Sequence, residues 1–382
     1  MLKSLTIKNF RSLADFEVAK LGRVNLIVGK NNSGKSSVLE ALRIYAGNAH
    51  QELLEKIAQA HDEKHFLDKD AKEGIEVSLP YADLFTGRQF PTDGRPIVIG
   101  ELDNEEALKI YHVYTVEKDY IATDEEGNKE TIKRKVSISN LELTEHSQVL
   151  GEGLSIRKNG GTGVKIDFNV IDPDFRRFTT LAIPPSPCSF IPTQLIPMNE
   201  LASNWDNIAL TEAEETVKDA MKIILPEFES LIFVNDSPYD ESKPIRRIAK
   251  VKVKGLKRPI PLNSLGDGML RIMQFVLKIF PAKGGFFLID EFENGLHYSV
   301  QEKVWALLFE MAEKLDIQVF ATTHSWDCIE SFSKVAIDRK DIYGVLFRVG
   351  KSVRKSDRDR VIATVFDEEA LYSITQSDVE VR

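Results

Sequence analysis

Val24-Asn25-Leu26-Ile27-Val28-Gly29-Lys30-Asn31-Asn32-Ser33-Gly34-Lys35-Ser36-Ser37-Val38 is the stretch that decides how the rest of the chain is read. An apolar run too short for a helix enters a glycine-bounded loop, and Val38, Leu42 and Tyr45 then recur at helical spacing up to Ala46. Strand, loop and helix in that order frame the pattern GxxxxGK[ST], Gly29 to Ser36. Glycine permits the tight loop, backbone N–H groups from Asn31 to Gly34 turn inward toward phosphate oxygens, and the helix N-terminus adds partial positive charge. Lys35 is placed to reach the β and γ phosphates, and Ser36 to give its hydroxyl oxygen to Mg²⁺, a hard cation that takes oxygen ligands. Ser37 belongs to the same set of expected nucleotide contacts. A glycine loop that binds nothing is the competing reading, and the strand and helix flanks argue against it.

Working outward, the 382 residues suffice for one large or two modest domains, and 42% hydrophobic content supports a true core. Fifty Lys and Arg against 59 Asp and Glu leave a net charge of -9, so no global positive field draws the chain to nucleic acid or anionic lipid. A nucleic-acid contact needs a local patch. Cys188 and Cys328 show no CxxC spacing, which argues against a disulfide framework and a thiolate zinc site and fits a reducing cytoplasm. The opening MLKSLTIKNF lacks an apolar signal core, and the longest apolar run, Val304 to Phe309, is too short to span a bilayer.

Residues 3 to 28 read as two or three strands. From about 75 to 170 the texture alternates (Ile97 to Leu102, Ala107 to Val116, Thr131 to Ser139, Val164 to Val170), with a turn at Glu126-Gly127-Asn128, and reads as an antiparallel β insertion. A proline-rich stretch, Pro184 to Pro197, leads to a helix over Leu210 to Leu225 and strands at Leu231 to Val234 and Ile248 to Val253. The C-terminal third alternates helix and strand: Gly266 to Phe280, Phe286 to Ile289, Ser299 to Lys314, Ile317 to Ala321. The expected fold is therefore α/β, a P-loop core with a mostly parallel sheet and helices plus an antiparallel β-rich lobe. Its expected divisions are 1–60 with the phosphate loop, 61–200 as the β-rich insertion, 201–340 as the second part of the core, and 341–382 as closing strands.

Phe286-Phe287-Leu288-Ile289-Asp290-Glu291 is a short apolar run ending in two acids. Asp290 is expected to hold Mg²⁺ through its water shell, and Glu291, on the other side of the strand end, to orient and polarise the attacking water. A strand ending in solvated charge is the plain alternative. Thr322-Thr323-His324-Ser325 follows the next apolar run, and His324 there can sense a γ-phosphate; a structural histidine is the alternative. Asn263-Ser264-Leu265-Gly266-Asp267-Gly268 opens a helix with Met269, Met273, Val276 and Phe280 on one face. Ser264 and backbone amides could form an anion site, or Ser264 could be an ordinary N-cap.

These elements, in this order, resemble the ATPase head of the ABC superfamily, in the branch of SMC-like and overcoming-lysogenisation-defect (OLD) ATPases. Leu5-Thr6-Ile7-Lys8-Asn9-Phe10-Arg11-Ser12-Leu13 is similar to the first strand of those heads, and Asp290 to His297 resembles their Walker B plus D-loop. The resemblance implies ATP hydrolysis with Mg²⁺, and a homodimer, or an assembly of such dimers, sandwiching ATP. Ser264 and Gly266 match the signature serine and second glycine that complete the opposite subunit's site. Leu265 and Asp267 depart from that signature, and His297 stands where transporters and SMC proteins have aspartate. The resemblance also makes Arg11 a nucleotide contact and Gln194, after Ser189-Phe190-Ile191, the Q-loop residue toward the metal.

Several OLD-like proteins carry a C-terminal Toprim nuclease, and the 58 residues after His324 contain no glutamate-then-DxD arrangement. The family analogy thus implies a separate nuclease or toxin effector in anti-phage defence. A RecF-like DNA-repair ATPase is the alternative, supported by Arg246, Arg247, Lys250, Lys252, Lys254, Lys257 and Arg258 around Val251 and Val253. Those lysines could equally protect an exposed edge strand. A nucleotide-gated scaffold without turnover would not need Glu291.

Overall fold

A computed structural model of the chain describes residues 1–63, 65–67, 76–78, 81–104, 106–123, 129–144, 147–159, 161, 163–168, 183–236, 246–339, 341–354, 357, 360–366 and 371. β1 (Leu5–Phe10), β2 (Leu13–Val18) and β3 (Val24–Val28) precede α1 (Lys35–Ala46) and α2 (Gln51–Ala60). The antiparallel region follows as β4 (His65–Leu67), β5 (Glu76–Ser78), β6 (Ile97–Gly100), β7 (Leu108–Thr123), β8 (Lys129–Ile138), β9 (Val149–Arg157) and β10 (Val164–Asp167). Then come β11 (Cys188–Ile191), α3 (Met198–Asp206), α4 (Glu212–Lys222), β12 (Phe228–Asn235), β13 (Arg247–Val253) and β14 (Ile260–Pro261). The last part holds α5 (Asp267–Ile279), β15 (Phe286–Ile289), α6 (Tyr298–Lys314), β16 (Gln318–Thr323), α7 (Trp326–Asp338), β17 (Gly344–Lys351) and β18 (Val361–Phe366).

Two sheets dominate. One has the order β11-β15-β16-β3-β17-β18, with every neighbouring pair parallel except β17 and β18. The other runs β10-β9-β7-β6-β1-β2, with β8 also on β7, and is antiparallel throughout. Thus β1 and β2, which precede the phosphate loop in sequence, join the same sheet as the strands expected in the 61–200 lobe, while β11, late in that interval, joins the parallel sheet. The turn expected at Glu126-Gly127-Asn128 lies outside the described residues, but β7 and β8 pair on either side of it, Thr123 opposite Lys129.

The parallel sheet explains why its strands read as unbroken apolar runs: both faces are covered. Val24, Leu26 and Val28 face one core with Phe287, Ile289, Val319 and Ala321, against α3 to α7. Ile27, Phe286, Leu288, Phe320 and Phe347 face a second core shared with α1 and the antiparallel sheet. Period-two alternation therefore splits each strand between two cores. α1 lies between the sheets and is buried on most sides, including Val38, Leu39, Leu42 and Ile44. Among the described residues no helix is long and apolar enough to cross a membrane.

The lysine-rich strand is not an edge. β13 pairs with β12 along its length and with β14 at Lys250 and Val251. Ala249, Val251 and Val253 turn into the core and Lys250, Lys252 and Lys254 turn outward.

Candidate functional site

In the parallel sheet the register aligns strand ends. Ile191 stands beside Ile289, Ile289 beside Ala321, and Thr323 beside Val28. The residues that follow these strands therefore gather along one edge, the carboxyl edge where α/β sheets hold ligands.

Gly29 and Gly34 have φ of +150° and +103°, backbone that side chains rarely adopt. A Cβ on Gly29 would lie 2.2 Å from the Val349 carbonyl oxygen, so the loop passes β17 at a distance only glycine allows. Asn32 is also left-handed, with φ +60°. Ser33 Oγ is buried with no hydrogen-bond partner among the described residues, and α1 starts at Gly34 with no side-chain cap and no acid in its first turn. Unmet donors around a concave loop suit a polyanion, so the loop fits a nucleotide's phosphates. Lys35 Nζ donates to Gly29 O at 2.7 Å and Lys30 O at 3.0 Å, which holds the ammonium inside the loop. Burial lowers the Lys35 pKa, while Asp290, Glu291 and Glu293 act to raise it.

Ser36 Oγ and Thr193 Oγ1 each lie 3.4 Å from Asp290 Oδ2, and Thr322 Oγ1 donates to Asp290 Oδ1 at 2.6 Å. One carboxylate among hydroxyls, brought from α1, the end of β15, β16 and the loop after β11, is an oxygen-only donor set. That chemistry fits Mg²⁺, which keeps several waters and shares substrate phosphate oxygens. Ser36 and Asp290 are the residues that would hold it, and the cation would neutralise phosphate charge there. Among the described residues no group of three or more His, Cys, Asp and Glu gathers as a metal site.

Glu291 has φ +50°, a left-handed conformation that a non-glycine residue adopts at some strain. Its backbone N–H donates to Thr322 Oγ1 at 2.9 Å. His324 Nδ1 lies 3.9 Å from Glu291 Oε1 and 3.2 Å from Glu293 Oε1, and Glu293 also accepts from the His324 backbone N–H at 3.1 Å. Glu291 and His324 thus form one edge of the site, with Glu293 fixing the histidine.

Three contributors carry no spacing signal in the sequence: Thr193, Thr322 and Arg271. Arg271, on α5, is 4% exposed and donates to Pro192 O at 2.9 Å and to Asp290 O and Glu291 O at 2.7 Å. It fastens the end of β15 to the end of β11 through backbone carbonyls. Burial pushes its guanidinium down to about 10, against the pull of Asp290, Glu293 and Glu291, so it remains charged at neutral pH.

Other sequence expectations stand apart from this cluster. Gln194 is exposed beside Thr193, at the carboxyl end of β11. Arg11, in the β1–β2 turn, is held by Glu40 at 2.9 Å and Glu63 at 2.8 Å, so its guanidinium is committed to a buried ion cluster. Its neighbour Ser12 is the part of that turn that approaches the loop, with Oγ 3.2 Å from where a Cβ on Gly34 would sit. Ser264 donates to Pro261 O at 2.6 Å and Gly266 is the N-cap of α5, so Ser264 is not the cap. Gly295 packs against Asp267, joining the D-loop to the head of α5. His297 caps α6, accepting the Ser299 N–H at 3.3 Å, so a histidine in place of aspartate still supplies an acceptor there.

A family model described as "AAA ATPase domain" matches residues 1–158, and one described as "AAA domain, putative AbiEii toxin, Type IV TA system" matches residues 210–327. An ATP/GTP phosphatase of Helicobacter pylori is 24% identical over 379 residues, covering 89% of this chain and 90% of that protein. The OLD nuclease of Thermus scotoductus is also 24% identical, over 368 residues, and the chain spans 62% of that protein's length. Among solved structures, an SMC head bound to the C-terminal winged-helix domain of ScpA aligns over 97% of this chain and 99% of its own, with 14% identity and a TM-score of 0.49. One ATPase-domain match that takes in the phosphate loop and most of the β-rich lobe, a second that takes in the paired acids, and a likeness along nearly the whole chain agree with the site gathered at one sheet edge: the chain is a P-loop ATPase that resembles the OLD-like proteins.

Proposed function

We propose that the chain is a nucleotide switch: two copies close around ATP and Mg²⁺, each lending Ser264 and Gly266 to the other's phosphate loop, and hydrolysis lets them part. The observation that carries this reading is the openness of the catalytic edge. The Glu291 and His324 side chains are 37% and 49% exposed. An acid that must orient one water works against competition from bulk solvent, and a second protein surface would exclude that solvent and bring dipoles to the developing charge. α5 suits the role in that its N-terminus has no side-chain cap, although Asp267 in its first turn sets a negative charge beside it. Arg271 lies one helical turn further along and grips the strand end that carries Asp290 and Glu291. An anion docking at the head of α5 would thus be felt at the catalytic acids.

On this reading the chain is cytoplasmic and its switch controls a nuclease or toxin effector, a separate protein, in bacterial defence against phage. The likeness to an OLD nuclease and to a family described as a putative toxin of a type IV system supports that assignment. Ser264→Arg tests the sandwich. It should bind ATP as the unaltered chain does, yet stay monomeric in molar-mass measurements with Mg²⁺ and ATP, with hydrolysis reduced about tenfold or more. ATP-dependent dimers at the unaltered level would sink the proposal.

The outward lysines of β13 favour a second reading, a RecF-like ATPase acting on duplex DNA. β14 covers β13 only at Lys250 and Val251, so edge protection does not account for Lys250, while Lys252 pairs with Glu229 at 2.8 Å and Lys254 follows the strand. If they meet phosphate, the unaltered chain should bind DNA with a salt-dependent affinity, and Lys252→Glu with Lys254→Glu should abolish that binding at low salt. Absence of DNA binding by the unaltered chain at low salt would remove this reading.

A further inference from the structure

Away from the phosphate loop, two polar clefts stand out among the described residues. The larger, about 610 Å³, contains Lys8 and Arg95. Their charge is met internally: Lys8 lies 3.6 Å from Asp15, and Arg95 pairs with Asp93. The other, about 520 Å³, is lined by Lys109, Tyr111, Ser155, Arg157, Lys158 and Lys165 and by no carboxylate. It lies on the face of β7, β9 and β10 that points away from the core, since Leu108, Ile110, Leu154, Ile156 and Ile166 take the inner face.

Its electrostatics are unbalanced. Lys109 stands directly opposite Arg157 in the β7–β9 ladder, and like charges so placed repel. Among the described residues neither has a carboxylate within ion-pair distance, whereas Lys165 reaches Asp167 at 3.0 Å. Farther along the same face the pattern changes: Lys135 stands opposite Glu117 and Lys133 opposite Asp119, with Lys133 Nζ 3.6 Å from Glu117. On this face the uncompensated charge therefore does not continue as a stripe; the next like-charge pair, Lys118 opposite Arg134, falls at the other parity of the ladder.

The cleft is also built to hold its cations in place. The Arg157 guanidinium lies 5.4 Å from the Tyr111 ring centroid. A Cβ on Gly163 would come within 3.0 Å of Arg157 Cγ and 3.3 Å of Ser155 Oγ, so this glycine leaves the floor open. Lys158 is 7% exposed, its ammonium fixed behind the cleft by Asn48 Oδ1 at 2.8 Å and Tyr45 O at 3.2 Å, at the end of α1. The ammonium also lies 4.1 Å from the Tyr45 ring centroid and has no carboxylate partner among the described residues; burial lowers its pKa.

We propose that this cleft binds a small phosphate-bearing molecule, a mononucleotide or an oligophosphate, with Lys109 and Arg157 gripping phosphate oxygens and Lys158 adding charge from behind. The guanidinium fork suits bidentate contact with phosphate, and the ligand would turn the Lys109–Arg157 repulsion into attraction. The volume suits a small ligand, and the confinement of the free charge argues against a polymer track.

The test uses the full chain carrying Lys35→Ala, so that the phosphate loop contributes no binding and failure of the ATP switch leaves the result untouched. Tripolyphosphate, AMP and a short DNA duplex are titrated in turn by calorimetry. Tripolyphosphate or AMP should bind, and Lys109→Gln with Arg157→Gln on the same background should weaken that binding about tenfold or more. Preference for AMP identifies a nucleotide site, and preference for tripolyphosphate an oligophosphate site. Without ligand, the paired variant should unfold at the same temperature or higher, because a repulsion is removed; the ligand should raise the midpoint only when both cations are present. Three results would overturn the proposal: binding of neither small probe, binding indifferent to the paired substitution, or tighter cleft-dependent binding of the duplex. A fall in the ligand-free midpoint would do so too, since it would make the cations structural.

Discussion

Glu291→Gln should leave nucleotide binding intact and lower the hydrolysis rate by about two to four orders of magnitude. The amide keeps the shape of the carboxylate but cannot draw a proton from water. Lys35, Ser36 and Asp290, which hold the phosphates and the cation in this reading, are untouched, so affinity should change little. His324 Nδ1, 3.9 Å from Glu291 Oε1, would lose a carboxylate neighbour yet stay anchored by Glu293 at 3.2 Å. The measurement is steady-state phosphate release beside equilibrium binding of ATP. If two copies close around ATP, the variant should also accumulate as a dimer, since the step that releases it is blocked. Turnover at the unaltered rate would remove Glu291 from the role of water-orienting acid and shift attention to Glu293.

The second large effect is expected at Arg271, a positioning residue that touches no reacting atom. Arg271→Met keeps volume and packing against Phe275 but strips three part-buried carbonyl oxygens, those of Pro192, Asp290 and Glu291, of their donors. A fully buried unsatisfied acceptor costs about 1–3 kcal/mol and partial access to water reduces that, so a loss of about 2–3 kcal/mol in unfolding free energy is expected. Hydrolysis should fall as well, because the turn that aims Glu291 is no longer pinned. Arg271→Lys separates the two effects: it restores a buried charge but not a planar fork able to span several carbonyls. Stability should recover in part while kcat stays low and KM for ATP stays near normal. A methionine variant as stable and as active as the parent would contradict this account.

The phosphate loop was legible because its chemistry dictates residue types at fixed spacing. The paired acids were legible because a buried parallel strand must be apolar until it reaches the site. Arg271, Thr193 and Thr322 were not, since they work through backbone carbonyls or hydroxyl contacts, which leave no pattern in one chain. β9 escaped notice because Gly151 and Gly153 break its alternation, yet a Cβ on Gly153 would sit 2.3 Å from the Ile166 carbonyl oxygen of β10. The joining of β1 and β2 to the lobe was hidden for another reason: Ile7 meets Ile99, a pairing set by tertiary packing rather than local preference. At Arg11 the residue type suggested an anion, and it has two, both carboxylates of its own chain.

The position of α1 between the two sheets bears on whether the molecule can be divided. One whole face of the parallel sheet, with Ile27, Phe286, Leu288, Phe320 and Phe347, is covered by α1 and the antiparallel sheet together. Deleting the antiparallel lobe would bare that wall of aromatic and branched side chains to water, a patch large enough to drive aggregation. The β-rich half is therefore not a detachable module hung on an enzyme. It is the other half of the packing that keeps the phosphate-binding helix in place, and the two should melt together.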